Sequence, residues 1–110
     1  MDLEIEQQKK LKELDIAIKS LRKTGEDYAK AYTDYRIAVA QELVKLKNEG
    51  YAITLAGDIA RGKPEIAKLK FNEICKEAIY KANQESINAT KLAIKIIEEQ
   101  KNREWSSNNE

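Results

Sequence analysis

The sequence predicts an all-α fold, a long antiparallel helical hairpin with a short helical elbow that assembles into an oligomeric helical bundle. Apolar residues recur at spacings of three and four along both halves of the 110-residue chain, as they do on one side of a helix. Only 4 glycines and 1 proline are present, so most of the chain runs in regular structure. Gly50 and Gly62 fall near the middle, where a hairpin has to turn.

The first helix is predicted over about residues 3–48. Its apolar positions lie near the spacing of a coiled-coil seam, and they are Leu11, Leu14, Ile18, Leu21, Tyr28, Tyr32, Tyr35, Val39, Leu43 and Leu46. Gly25 interrupts the seam, but an interior glycine costs only about 1 kcal/mol relative to alanine. We expect the helix to continue through Gly25, with a kink there as the alternative. Gly50 follows the last periodic residue and predicts a left-handed stop.

The elbow is predicted to hold a short helix from Leu55 to Arg61, capped by Thr54 and ended by Gly62. Pro64 suits the first turn of the second long helix, which is predicted to run from about Pro64 to Arg103. Residues 1–105 are then a single helical-hairpin domain, and residues 106–110 are expected to form a disordered tail.

The hairpin register follows from the position of the turn. If the turn centres near residue 56, Tyr35 lies near Ala78 and Leu21 near Leu92. A helix of about 45 residues is about 68 Å long, and two such rods cannot enclose a core by themselves. We therefore expect a homo-oligomer, most simply a dimeric four-helix bundle.

Composition excludes several classes of function. The chain has no histidine, which removes His-based general bases, His-activated nucleophiles and His-ligated metals. Its single cysteine allows neither an intrachain disulfide nor a thiolate zinc site. The formal net charge is +1, so no global field attracts nucleic acid or an anionic membrane. We expect a protein that is not an enzyme and that carries no cofactor and no metal.

One stretch matches a phosphate-binding motif. Residues 57–63 fit the pattern G-x-x-x-x-G-K, and Pro64 follows, after an apolar run and before a helix. Pro64 replaces the Ser or Thr that holds Mg²⁺, and the chain lacks further strands for a parallel sheet. A capped helical elbow is the favoured interpretation. A weaker alternative remains, in which the start of the second helix, with Arg61 and Lys63, holds a phosphate without hydrolysing it.

The tyrosines give the candidate site. Tyr28, Tyr32 and Tyr35 lie on one side of the first helix. The structural interpretation of these tyrosines is a stripe of core residues whose hydroxyls reach the edge of the core. The functional interpretation is a wall on which a flat ligand stacks, with cations from the elbow on its phosphates. The predicted ligand-binding residues are Tyr32, Tyr35, Arg36, Asp58, Arg61 and Lys63.

Residues 1–6 are acidic and interrupted, unlike the start of a secretion signal, and no apolar run approaches the length of a membrane helix. We therefore expect a cytoplasmic protein with no membrane partner.

Three segments, residues 34–46, 48–55 and 58–62, together with the closing stretch 97–105, resemble short helical accessory proteins encoded by phages and prophages of Gram-positive bacteria. The resemblance covers about residues 28–105 and rests on pattern rather than on a chemical signature. It carries no catalytic residues over to this chain. It implies a small accessory protein made during infection, in the cytoplasm of a bacterial host cell.

Within that setting the favoured hypothesis is a non-enzymatic binding protein that counteracts host defence. It would sequester a small nucleotide-type signal or block a defence protein. One alternative is a nucleic-acid-binding accessory module for replication or recombination, which the near-neutral charge disfavours. A purely structural coiled-coil adaptor is the other alternative.

Overall fold

The computed structural model describes residues 2–108 and contains three helices, α1 (Leu3–Asn48), α2 (Ile53–Gly62) and α3 (Pro64–Asn108). No strand occurs within these residues. The predicted all-α helical hairpin with a helical elbow is confirmed. Helix α3 continues to Asn108, beyond the predicted end of the domain at residue 105, so residues 106–108 of the expected tail are helical. Residues 109 and 110 of that tail lie outside the described residues.

Local hydrogen bonds explain where α1 begins and ends. The Asp2 carboxylate accepts a hydrogen bond from the backbone N–H of Glu4 at 2.9 Å, as an N-cap side chain does. At the other end, Gly50 has a φ of 98°, the left-handed conformation predicted from its position. The N–H of Gly50 donates to the carbonyl of Lys47, and that of Tyr51 donates to the carbonyl of Leu46, at 3.0 and 3.2 Å. These two bonds form a Schellman motif, which satisfies carbonyls at the helix end.

Helix α2 starts earlier than predicted and without the predicted cap. It begins at Ile53 after Ala52, with no side-chain cap, so the assignment of Thr54 as the cap is wrong. The helix is stabilised instead by the burial of its apolar side, because Ala56 and Ala60 have no exposed surface. Both pack with Leu46 of α1 and Ile66 of α3 in a four-residue apolar cluster that we call the elbow core.

The described residues fall into two compact units, residues 23–80 and residues 2–22 with 81–108. Within the first, the Lys70 ammonium lies 4.9 Å from the ring centre of Tyr35. The predicted partner of Tyr35 was Ala78, eight positions further along, so the predicted register is wrong by about two helical turns. The elbow core gives the reason. Because α2 covers the last turn of α1, α3 begins opposite Glu42, which forms an ion pair with Lys63.

The second unit is held by apolar and polar contacts of α1 with α3. Leu3, Ile87 and Ile97 are buried there. The Asn83 side-chain amide donates to the backbone carbonyl of Ala17 at 2.9 Å, and Lys101 donates to Gln7 at 2.9 Å. Polar groups along a helix seam fix its register at some expense of stability.

No helix in the described part of the chain is long and apolar enough to cross a membrane.

Candidate functional site

Two grooves in the unit of residues 23–80 contain most of the predicted site. The first, which we call the tyrosine groove, has a volume of about 470 Å³ and is lined by Gly25, Tyr28, Ala29, Tyr32, Thr33 and Tyr80. Tyr28 and Tyr32 lie one turn apart on α1, and Tyr80 reaches them from α3. Gly25 makes this approach available, because a Cβ atom at that position would lie 3.2 Å from Cε1 of Tyr80.

The rings of the tyrosine groove form one aromatic cluster. Tyr28 and Tyr80 are 6.0 Å apart between ring centroids, and Tyr28 and Tyr32 are 6.5 Å apart in an edge-to-face arrangement. The Arg36 guanidinium lies 5.8 Å from the ring centre of Tyr32. Tyr32 is 43% exposed, so part of its ring remains open to a ligand. The groove therefore offers aromatic surface, and a guanidinium lies beside one of its rings.

Tyr28, which lines the tyrosine groove, is hydrogen-bonded to a residue outside that lining. The Tyr28 hydroxyl donates to the Glu77 carboxylate at 2.6 Å. This bond, helped by burial and by the negative charge of Glu77, raises the pKa of Tyr28 to about 12. Tyr28 is consequently a neutral hydrogen-bond donor across the physiological pH range.

We expect a step at about pH 12 from Tyr28 in a spectrophotometric titration of tyrosinate absorbance. Its pKa is raised in the folded state, so the bond contributes stability below the unfolded pKa of about 10 and loses it as pH rises through about 12. Tyr28→Phe should remove the step at about pH 12, and Tyr51→Phe is the control, which should keep it. A step at about pH 12 that persists in Tyr28→Phe would contradict the assignment.

The second groove, which we call the arginine groove, has a volume of about 350 Å³. Its lining includes three of the predicted site residues, Tyr35, Arg36 and Arg61, together with Val39, Ala40 and Leu43. Arg36 belongs to this lining and also lies over Tyr32 in the tyrosine groove. The Arg36 side chain therefore lies next to Tyr32 of the tyrosine groove and also lines the arginine groove with Tyr35 and Arg61.

Asp58 and Arg61 interact on α2. The Arg61 guanidinium lies 3.2 Å from a carboxylate oxygen of Asp58, and both side chains are more than half exposed. An exposed pair of this kind contributes little stability, so the guanidinium is available to an anion at small cost. A Cβ atom at Gly57 would lie 3.1 Å from the same guanidinium, so the absence of a side chain there leaves room for Arg61.

Lys63 lines neither groove. Its ammonium forms an ion pair with Glu42, and this hydrogen bond raises the pKa of Lys63. The start of α3 is also occupied, because the N–H groups of Ile66 and Ala67 donate to the carbonyl of Lys63. Pro64 has no N–H, and Glu65 adds a negative charge to the first turn. These contacts do not support a phosphate site at the start of α3.

The segment that matches the phosphate-loop pattern is helical. Gly57 and Gly62 lie within α2, whose backbone N–H groups serve the helix rather than a ligand. No strand precedes it within residues 2–108. The elbow interpretation of this motif is therefore the one that agrees with the backbone.

A third groove is lined by Lys23, Lys30 and Lys76, and two of these lysines pair with aspartates. Lys23 contacts Asp27 at 3.1 Å and Lys30 contacts Asp34 at 2.7 Å. Such alternation of i and i+4 charges is typical of a solvated helix and leaves little net positive surface for a nucleic acid. In the part of the chain that the structure describes, no group of three or more acidic or cysteine side chains is placed to hold a metal ion.

Comparison with protein-family models, with curated proteins and with solved structures finds no match to the chain.

Tyr28 was predicted on the same side of α1 as Tyr32, but Tyr28, Gly25 and Tyr80 were not among the predicted site residues. A signal was present in the spacing, because Gly25 precedes Tyr32 by seven positions and so shares its place in the heptad. A glycine within a row of large side chains indicates a gap into which a neighbouring side chain can pack.

Proposed function

We propose that the protein is a non-enzymatic binding protein that holds a flat, anionic ligand of nucleotide type. The ligand's ring stacks in the tyrosine groove, and its phosphate binds the guanidinium groups of Arg36 and Arg61. The observation that carries the proposal is the position of Arg36, which lies over the Tyr32 ring and also lines the arginine groove. Stacking on an aromatic side chain contributes about 1–3 kcal/mol per base.

The Arg36 guanidinium gives the ligand a direction. It lies over the Tyr32 ring, so the anionic part of the ligand is attracted to the Tyr32 side of the tyrosine groove. The base then lies against Tyr28 and Tyr80, and the phosphate lies at Arg36.

The side chains around the grooves suit binding rather than catalysis. Tyr28 is held neutral by its bond to Glu77, and its raised pKa of about 12 makes it a poor proton-transfer group at neutral pH. The chain has no histidine that would act as a general base. The protein would therefore bind its ligand without converting it, and so sequester it.

The setting that we propose is that of an accessory protein made by a phage. There the protein counteracts host defence by removing a small nucleotide-type signal from the cytoplasm. Its resemblance to short helical phage and prophage proteins supports this setting, and the paired aromatic and guanidinium groups support the class of ligand. Blocking of a defence protein is the outcome to consider if no nucleotide binds.

Native mass spectrometry with cyclic and linear adenine and guanine nucleotides tests the proposal. We expect a stoichiometric adduct with the wild-type protein. Arg36→Ala should weaken it about tenfold, the effect of losing one charge-assisted hydrogen bond of about 1.4 kcal/mol. Arg103→Ala, at an exposed position near the end of α3, is the matched control and should bind normally. The absence of any adduct, or equal binding by Arg36→Ala, would contradict the proposal.

A further inference from the structure

The two arginines of the arginine groove differ in their partners. Arg36 and Arg61 both line this groove, which belongs to the unit of residues 23–80. The Arg36 guanidinium lies over the Tyr32 ring and forms no ion pair within residues 2–108. The Arg61 guanidinium instead contacts the Asp58 carboxylate at 3.2 Å. An anion that enters the groove therefore meets one arginine without a counter-charge and one that already has a carboxylate.

The contact between Asp58 and Arg61 is weak. It joins residues three positions apart on α2, and the Asp58 and Arg61 side chains are 80% and 55% exposed. Water screens an exposed ion pair, so such a pair contributes little stability. A competing anion can reach the guanidinium from solvent, and displacing the Asp58 carboxylate costs it little.

The Arg61 guanidinium also lies close to Gly57, one helical turn earlier on α2. A Cβ atom at Gly57 would lie 3.1 Å from one terminal guanidinium nitrogen and 3.4 Å from the other. The Arg61 side chain therefore runs back along α2, over a glycine that is itself buried. Because this path follows the helix surface, we expect the guanidinium to remain beside the groove when the Asp58 carboxylate is displaced.

The charge of an incoming phosphate decides whether the phosphate gains from Arg61. A phosphodiester carries one negative charge, as the Asp58 carboxylate does, so exchange at Arg61 only replaces one monoanion with another. A terminal phosphate carries about 1.5 to 2 negative charges at pH 7 and has three strong acceptor oxygens. It therefore gains more from a guanidinium than the carboxylate loses. A diphosphate adds further charge and further oxygens for the second arginine of the groove.

We infer that Asp58 determines which anionic ligands the proposed site prefers. Asp58 competes with the ligand for Arg61, so only a terminal phosphate or a diphosphate gains the second guanidinium. Arg36 attracts every phosphate, whereas Arg61 adds to the binding of those that displace Asp58. Nucleotides with a terminal phosphate are consequently preferred over cyclic or internal phosphodiesters. The inference rests on the proposed function, because it takes the base to stack in the tyrosine groove.

Isothermal titration calorimetry with two ligands of the same base tests the preference. The probes are ADP and 3′,5′-cyclic AMP, in a buffer with EDTA so that no Mg²⁺ neutralises the diphosphate. We expect the wild-type protein to bind ADP about tenfold more tightly than cyclic AMP, the effect of one additional charge-assisted contact. Arg61→Ala should weaken ADP binding about tenfold and leave the binding of cyclic AMP unchanged.

Asp58→Asn tests the competition directly, since asparagine keeps the shape of the side chain and removes its charge. ADP should bind about two- to fivefold more tightly to this variant, the range that an exposed ion pair contributes. In the Asp58→Asn background, Arg61→Ala should weaken cyclic AMP binding as well, because a single negative charge then has no competitor at Arg61. Asp15→Asn is the matched control. It removes the carboxylate of the exposed Asp15–Lys19 pair, which lines neither groove, and should leave both affinities unchanged.

The possible outcomes separate this inference from the proposed function. Arg61 and Asp58 lie outside the elbow core, so their variants should show wild-type helicity by circular dichroism. If Arg61→Ala weakens both nucleotides equally, or if Asp58→Asn does not tighten ADP binding, the inference is overturned while nucleotide binding at Arg36 stands. If the wild-type protein binds neither nucleotide, the proposed function fails and the inference fails with it.

Discussion

Leu46→Ala is expected to lower the free energy of unfolding by about 3 kcal/mol, because truncating a buried leucine to alanine costs about 2–5 kcal/mol. Leu46 is 3% exposed and packs in the elbow core with Ala56, Ala60 and Ile66. Truncation leaves a cavity that two alanines cannot fill. Because a small domain is stable by only about 5–15 kcal/mol, this change should be plain in urea unfolding followed by circular dichroism.

Val44→Ala is the matched control for this prediction. Val44 lies two positions earlier on α1 and is 61% exposed, so its truncation should change the free energy of unfolding by less than about 0.5 kcal/mol. Both variants should be compared at one protein concentration. Equal effects of the two substitutions would show that the elbow core does not stabilise the fold.

Gly50→Ala should produce the second large loss, about 1–2 kcal/mol of the free energy of unfolding. Gly50 has a φ of 98°, a conformation that residues with a Cβ atom adopt only with strain. The Schellman hydrogen bonds that end α1 depend on this conformation, so alanine must strain the backbone or give up the bonds.

Gly62→Ala provides a control of opposite sign. Gly62 is the last residue of α2, has no positive φ, and a Cβ atom there would meet nothing within 4 Å. Alanine at this position reduces the freedom of the unfolded chain and should stabilise the protein by about 0.4–1 kcal/mol. The two variants should move the midpoint of thermal unfolding in opposite directions. A gain in stability from Gly50→Ala would contradict the assigned role of the turn.

The parts of the fold that were predicted correctly are those decided by neighbouring residues. Helix α1 was expected over about residues 3–48 and is found at Leu3–Asn48, because a cap and a left-handed glycine determine its ends locally. Pro64 was likewise expected to open α3, and it does. The start of α2 was predicted incorrectly, because Ala56 and Ala60 pack against Leu46 and Ile66. These are tertiary contacts, which a local sequence pattern does not predict.

In the candidate site, too, contacts between neighbouring residues could be predicted from the sequence, whereas contacts between helices could not. Tyr32 and Arg36 lie one turn apart on α1, so their contact could be predicted from spacing. Tyr80 and Glu77 join Tyr28 only through the register of α3, which was predicted incorrectly by about two turns. The pairing of Lys63 with Glu42 depends on that register too, so the charge pattern alone predicted a phosphate contact that the ion pair does not support.

The contacts of α1 with α3 also set the order in which the hairpin can form. The Tyr28–Glu77 bond joins residues 49 apart in sequence, whereas the Lys101–Glu4 contact joins residues 97 apart. A short loop closes with a smaller loss of entropy than a long one, so the chain reaches the elbow core and the tyrosine cluster first. The remaining helix then extends one turn at a time toward Glu4 and Lys101. Folding should therefore proceed from the elbow outward, with backbone amides exchanging with solvent fastest where the contacts form last.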